Sequence, residues 1–392
     1  MKPWLRHIAT TCLCLCLTLA AHALNLRVQV QSTKSASSVT FTAIGCNYTV
    51  YSGKKKILSA KQYQPLQISL VNNLIFLSSE KRNYGSYVKL KFVGKSNNTS
   101  FLIKPTEPSS AEVAYYDHLE VTTKDQSLRF VNVIDLEKYV KGTVAAEAGN
   151  DADPEFYKVQ AIICRTYALG HLQRHSEEGF NLCDQVHCQA YNGIWRNNKM
   201  IATAVLATKN KIIVDSMFEI IIAAYSSNCG GQTAAAEDVW SKPLPYLQSV
   251  NDPFCFNGVH AAWEQKISLI DWLEYLKKKK LSTAFTDVTM ICDTTFCYFP
   301  VKREALFALA NSALAMRAIR DDWKFKSAYF TINQAGDTLI FNGKGCGHGV
   351  GLCQEGAMQM AKFGHTYENI INFYYRNVSV VDADLRSFLN DK

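Results

Sequence analysis

The sequence predicts an α+β protein: a mixed α/β body, preceded by a β-rich region and interrupted by a central insertion. Three observations lead there. Residues 24–110 are built of short runs rich in β-branched and aromatic residues, separated by Gly, Ser and Asn turns. Helical spacing with capping signals appears only after Ala111, and again near the C-terminus. Between these two helical blocks, residues 255–335 carry their own helices and a CDTTFC loop, as an inserted unit would.

The chain opens with MKPWLRHIATTCLCLCLTLAAHALN. Lys2 and Arg6 form a positive start, an apolar run covers Ile8 to Leu19, and Ala21-His22-Ala23 is a small-x-small cleavage site. This pattern predicts a signal peptide over residues 1–23. The run is short for a membrane span, and no later stretch is long and apolar enough. The expected location is the periplasm or cell envelope, with no transmembrane span after cleavage. Losing Lys2 and Arg6 lowers the net charge from +8 to +6. So mild an excess specifies no polyanion, and nucleic acid is not an expected partner. Of thirteen cysteines, Cys12, Cys14 and Cys16 leave with the leader. The rest are Cys46, Cys164, Cys183, Cys188, Cys229, Cys255, Cys292, Cys297, Cys346 and Cys353. An even number in an oxidising compartment favours disulfides. A chain this long needs none for its core, so some are free to build a local site.

In the β-rich region the strand-like runs are LRVQVQ, SVTFTAI, YTVYS, LQISL, LIFLS and YVKLKFVG, closed by a polar boundary with Pro105 and Pro108. The body begins at 111–254. HLEVTTK and LRFVNVI read as strands. Asp135 caps a short helix, LEKYVKG, expected to end at Gly142. Asp153-Pro154 opens a stronger helix, with Phe156, Val159, Ile163 and Tyr167 on one face. KIIVDS and IIAAYSSN read as strands. In the insertion, SLIDWLEYLKKKK is an amphipathic helix, and Lys277 to Lys280 suit the negative end of its dipole. Residues 336–392 complete the body with a glycine-spaced loop, GKGCGHGVG, and two helices. Gly364 ends the first and Thr366 caps the second.

Several residues carry chemistry. Cys183-x-x-x-His187-Cys188, with His175 upstream, offers two Cys and two His, a set suited to tetrahedral zinc. A Cys183–Cys188 disulfide and an activated cysteine nucleophile use the same residues, although adjacent His187 and Cys188 point apart on an extended chain. Glu147 is the only acid in the apolar stretch Thr143 to Ala148. Burial there favours its neutral form, which a general acid needs; the plainer alternative is a surface glutamate in a loop. Asp153 is explained by capping and Asp151 by solvation, while Glu237 and Asp238 precede Trp240 near a possible cleft. Arg165 lies on a largely buried helix and needs a partner, either Glu147 or a structural carboxylate. Tyr225 and Ser227 fall at a strand end. Gly345, Gly347, Gly349 and Gly351 permit close approach of a backbone or a sugar chain, beside His348 and Gln354. GKG is not a phosphate loop, lacking the Ser or Thr and the upstream Gly.

Three blocks together resemble the SpoIID/LytB family, named for a sporulation cell-wall protein and an amidase enhancer. They are LEKYVKGTVAAEAG…VQAIICRTYAL, then CDQVHCQAYNG with AAYSSNCGGQTAAAEDVW…LPYLQSVNDPFC, and finally GKGCGHGVGLCQEGAMQMAKFGHTYENIINFYY. They stand in the family's order from about Asp135 to Val378; the region before Ala111 lies outside the likeness. The resemblance implies a lytic transglycosylase cleaving peptidoglycan glycan strands, preferably peptide-stripped ones. It implies Glu147 as the catalytic acid and base. It also implies a structural zinc on His175, Cys183, His187 and Cys188, with His171 in reserve for the fourth place. Arg165, Tyr225, Ser227, His348 and Gln354 are the expected substrate contacts. A wall-binding protein that stimulates a partner amidase is the alternative. The chain departs from the family's pattern twice. Ala145, Ala146 and Ala148 surround Glu147 where Pro, Ser and Met are common, and Ser226 stands where many members carry histidine.

Overall fold

A computed structural model describes residues 24–96, 99–194, 198–281, 291–292, 295–309 and 312–385. The expected signal peptide lies outside the described residues.

The N-terminal half is two facing sheets, antiparallel except where Leu182–Cys183 lies parallel to Asn25–Val30. One runs, strand by strand, through Leu182–Cys183, Asn25–Val30, Ser127–Asp135, His118–Lys124, Leu90–Gly94, Tyr48–Ser52 and Lys55–Ala60. The other runs through Val113–Tyr116, Ser100–Glu107, Ser38–Ile44, Pro65–Val71, Leu74–Ser79 and Arg82–Tyr87. Alternation makes the core: Leu26, Val28 and Val30 are buried while their neighbours are less so. Phe41 of one sheet meets Phe92 of the other at 4.4 Å between ring centroids, with Phe101 at 5.5 Å. Of the strands the sequence reading passed over, Ser100–Glu107 lies inside its sheet, while Lys55–Ala60, Arg82–Tyr87 and Val113–Tyr116 are edge strands. In Lys55–Ala60 and Arg82–Tyr87, exposure weakens the alternation that reveals a strand.

Residue 110 is not a break in this arrangement. Asn25–Val30 pairs along its length with Ser127–Asp135, Asn25 opposite Asp135 and Val30 opposite Phe130. A single hydrophobic core runs from Leu24 to Tyr375. Pro105 lies inside the strand Ser100–Glu107, opposite Val39, and Pro108 follows that strand, on the way to its neighbour Val113–Tyr116 in the same sheet.

Two helices carry the body. In α1, Leu136–Ala148, the Asp135 carboxylate accepts from the N–H groups of Glu137 and Lys138. This helix does not stop at Gly142 as expected; it continues by six residues. Gly142 serves close packing instead. A Cβ there lies 2.7 Å from Tyr191 Cε2 and 2.9 Å from the Gly193 carbonyl. In α2, Pro154–Gly170, Asp153 is the cap and Pro154 opens the first turn, as read from sequence. Arg165 of α2 is fully buried and forms a two-pronged ion pair with Glu137 of α1, at 2.9 and 2.6 Å.

The insertion has its own core, built around Trp263, Trp272, Phe307, Phe325, Phe330 and Phe341. Its sheet pairs Ala262–Ser268 with Thr338–Lys344, so the unit runs to Lys344 rather than stopping at 335. The stretch IIAAYSSN yields only a two-residue strand, Tyr225–Ser226, because its parallel partner Leu352–Cys353 is equally short. Among the described residues no helix is long and apolar enough to cross a membrane.

Candidate active site

The last turn of α1, the strand end at Tyr225–Ser227, the loop around Cys188 and the Gly347–His348 turn surround an open cleft of about 740 Å³. Glu147 projects from α1 and is the only carboxylate among the described lining residues. Its Oε1 accepts the Ala190 N–H at 2.8 Å, and the Tyr225 phenol is a second hydrogen-bond partner. Burial pushes the Glu147 carboxyl above its ordinary range, and these two bonds only partly offset it. Its place at a helix C-terminus also disfavours the charge. Burial likewise holds the Tyr225 phenol far above its usual range, so it stays a neutral donor. Cys164 beneath is fully buried and pushed up to about 12, which leaves it a thiol rather than a nucleophile.

Of the other expected contacts, Tyr225, Ser227, His348 and Gln354 line the cleft. Gln354 donates to Gln160 Oε1 at 3.3 Å and to the Glu147 carbonyl at 3.5 Å. His348 uses its ring nitrogens on the backbone: Nδ1 accepts the Val350 N–H at 3.0 Å, and the ring also bonds the backbone of Tyr225. Burial lowers it to about 4, so it is neutral. The cleft therefore presents its ring face, beside Trp240 at 5.4 Å between centroids, rather than a free nitrogen. Arg165 does not belong to the cleft. Its ion pair with Glu137, and a further bond to the Lys211 carbonyl at 3.0 Å, consume its donors away from Glu147. Glu237 and Asp238 are exposed on the short helix Ala236–Trp240, and neither lines the cleft.

The cleft is otherwise cationic, which sequence reasoning missed. Arg174, Lys242 and Arg320 join its lining. Arg320 comes from the insertion helix Met316–Trp323. Nothing in its local sequence signals that placement, because only tertiary packing carries the insertion to the cleft wall. Ser226, at the position where histidine is common, has a buried hydroxyl without a hydrogen-bond partner.

One wall of the cleft is the cysteine loop. The side-chain donor atoms of His175, Cys183, His187 and Cys188 all lie within 4.8 Å of one another. Cys188 Sγ is 3.5 Å from His175 Nε2, and His187 Nδ1 is 3.8 Å from both sulfurs. With Zn–S near 2.3 Å and Zn–N near 2.0–2.1 Å, the edges of a tetrahedron come to about 3.3–3.8 Å. The donor set and its spacing fit zinc. His187 and Cys188 were expected to point apart; they converge because Gln185–Cys188 is a turn, closed by a 2.8 Å bond from Cys188 N–H to the Gln185 carbonyl. The Cys188 thiol, followed by the Gln185 N–H and both histidines, outweighs burial and lowers the Cys183 thiol below its ordinary range. Glu178 bonds His175 Nδ1 at 2.7 Å, orienting the ring with Nε2 inward. His171 is not in this cluster; its Nδ1 sits 2.8 Å from the Tyr167 carbonyl.

Fold and site define a mixed α/β protein with a single buried acid in a cationic cleft beside a Cys/His cluster. A profile described as Stage II sporulation protein (SpoIID) matches residues 124–214, which contain Glu147 and the whole cluster. Stage II sporulation protein D of Bacillus subtilis is 29% identical over 311 residues, 76% of this chain and 88% of its own. That of Bacillus amyloliquefaciens is 31% identical over 276 residues, 66% of this chain and 77% of its own. The amidase enhancer of Bacillus subtilis is 26% identical over 290 residues, 60% of this chain but 39% of its own. The chain belongs to the SpoIID/LytB family.

Proposed function

We propose that this is an exported cell-envelope enzyme, a lytic transglycosylase that cleaves peptidoglycan glycan strands with Glu147 as acid and then base. The observation that carries this is the solitary carboxylate. A hydrolase of the ordinary kind pairs two carboxyl groups across the bond; here Glu147 is the only carboxylate among the described lining residues, with its proton retained by burial. The neutral carboxyl protonates the leaving glycosidic oxygen as the bond from the muramic C1 breaks. The resulting carboxylate accepts the proton of the same sugar's C6 hydroxyl as that oxygen closes on C1. One group thus serves both steps, and the product carries a 1,6-anhydro ring. Tyr225 and the Ala190 N–H stabilise the carboxylate between the steps.

Arg174, Lys242 and Arg320 support a preference for peptide-stripped strands. Removing the stem peptide uncovers a lactyl carboxylate on each muramic residue, and a cationic cleft attracts that charge. His175, Cys183, His187 and Cys188 would hold a structural zinc that braces the cleft wall. Four protein ligands fill a tetrahedron and leave no open position, which argues against a zinc amidase.

Purified protein incubated with peptide-free glycan, followed by mass spectrometry, tests the reading. The expected products end in 1,6-anhydro-muramic acid, and Glu147→Gln abolishes them, a loss of about a hundred- to ten-thousand-fold. Reducing muramic ends, or near-normal activity in Glu147→Gln, would overturn it. A second reading rests on the likeness to the amidase enhancer: a wall-binding protein that stimulates a partner amidase. Cleavage by the purified protein alone separates the two.

A further inference from the structure

Behind the cleft lies a second cluster that the spacing of the cysteines conceals. Cys229, Asp252, Cys255 and Cys353 are all buried, and their donor atoms lie within 4.8 Å of one another. Cys229 Sγ is 3.6 Å from Cys255 Sγ and 3.2 Å from Asp252 Oδ2. The edges of a tetrahedron around zinc, with Zn–S near 2.3 Å and Zn–O near 2.0–2.2 Å, come to about 3.3–3.8 Å; the sulfur–sulfur spacing falls inside that range and the sulfur–oxygen spacing just short of it. We infer that Cys229, Asp252, Cys255 and Cys353 form a second, structural zinc site, separate from the Cys/His loop.

The surroundings are those of a thiolate site. Backbone N–H groups point at the sulfurs: Cys229 N–H to Cys353 Sγ at 3.2 Å, Gly231 N–H to Cys255 Sγ at 3.1 Å, and Gly356 N–H to Cys353 Sγ at 3.4 Å. Cys353 caps the helix Gln354–Lys362, whose positive end favours a thiolate. Asp252 is 1% exposed, yet its hydrogen-bond donors are the Phe254 N–H, the Tyr374 hydroxyl and the Cys229 thiol, all neutral. An ionised carboxylate so deeply buried is costly without a cation, and a zinc ion bound by Oδ2 provides one. Tyr374, bonded to that same oxygen at 2.9 Å, then orients the ligand from behind. Three thiolates and a carboxylate leave a zinc centre net negative. The N–H donors offset this, as does Arg303, whose Nη2 donates to the Cys229 carbonyl at 2.9 Å.

The cluster joins three segments distant in sequence. Cys229 follows the cleft residues Tyr225 to Ser227, Cys353 immediately precedes cleft residue Gln354, and Asp252 and Cys255 enter from the start of the insertion. A metal there pins the Tyr225 wall to the Gln354 wall. A disulfide is the competing use of the same atoms. It joins only two of the three sulfurs and needs them at about 2.05 Å, and it leaves Asp252 without its cation.

Metal content of the full chain, purified under reducing conditions without added metal, tests this independently of glycan cleavage. The expected content is about two zinc ions per chain, falling to about one in Cys188→Ser and to about one in Cys255→Ser. About one ion per chain in wild type with no change in Cys255→Ser would overturn the inference, as would a mapped Cys229–Cys255 disulfide. Cys188→Ser isolates the second site, so failure of the first does not mimic failure of the second. Should Cys255→Ser not fold, cobalt added to metal-stripped Cys188→Ser decides the matter. Thiolate-to-cobalt charge transfer with tetrahedral visible bands supports the site, and their absence refutes it.

Discussion

Replacing Gly142 with alanine sets two effects of opposite sign against each other. In an ordinary helix interior the change stabilises by about 1 kcal/mol, because alanine loses less backbone entropy. Here the new Cβ meets Tyr191 Cε2 at 2.7 Å and the Gly193 carbonyl at 2.9 Å. Neither neighbour yields easily. Tyr191 is 1% exposed, packs on Tyr139 at 5.1 Å between centroids, and holds Asn132 Oδ1 through its hydroxyl at 3.0 Å. The Gly193 carbonyl is backbone. Overpacking costs about 1–3 kcal/mol, and neighbours that cannot yield put this site in the upper part, about 2–3 kcal/mol, so strain wins and the net loss is about 1–2 kcal/mol. The relief route is a shift of α1 away from Tyr191, and α1 carries Glu147. Urea unfolding followed by circular dichroism should show a lower midpoint with an unchanged slope, and glycan cleavage should fall as well. An unchanged or raised midpoint would refute the close packing of α1 on Tyr191. A lower midpoint with undiminished cleavage would refute the link from Gly142 to the acid.

Three other outcomes are expected. Tyr225→Phe removes a bond that favours the charged form of Glu147, so its carboxyl rises further and the alkaline limb of the pH–rate profile moves to higher pH; a downward move would contradict the assignment. Glu147→Gln should unfold at the same or a higher temperature than wild type at neutral pH. The folded-state carboxyl is raised above its unfolded value of 4.5, so its contribution to stability is full below that value and is lost as pH rises through the raised one; an amide escapes this loss, and a clear drop in melting temperature at pH 7 would be inconsistent with it. Arg165→Ala should destabilise by about 3–5 kcal/mol, since it strands Glu137 beside a buried void, while a protein that still folds should keep its pH–rate profile because Arg165 does not touch Glu147; a shifted profile would place the arginine in the chemistry after all.

Much of the site was legible in sequence because its signals are local. Asp135, Asp153-Pro154 and Thr366 cap their helices as read, since a cap is a contact between residues two or three apart. His175, Cys183, His187 and Cys188 also fall within one short loop, so their soft donors announce a cluster before any fold is known. Glu147 stood out as the lone acid in an apolar stretch. The misreadings came where a distant partner overrides a local preference. Gly142 reads as a stop signal, yet Tyr191 and Gly193 turn it into a packing site inside a longer helix. Arg165 reads as a partner for either Glu147 or a structural carboxylate, and only the packing of α2 on the first turn of α1 decides for Glu137. Adjacent His187 and Cys188 read as divergent until a turn folds them together.

What sequence alone determined was composition, helix starts and the identity of the groups able to do chemistry. Tertiary structure decided which of them meet. Arg320 reaches the cleft only because the insertion packs there, and Cys229 finds Cys353 across 124 positions only because two short parallel strands, Tyr225–Ser226 and Leu352–Cys353, lie side by side. Such contacts leave no periodicity in the chain, because the chain between them is free to be almost anything that returns to the same place.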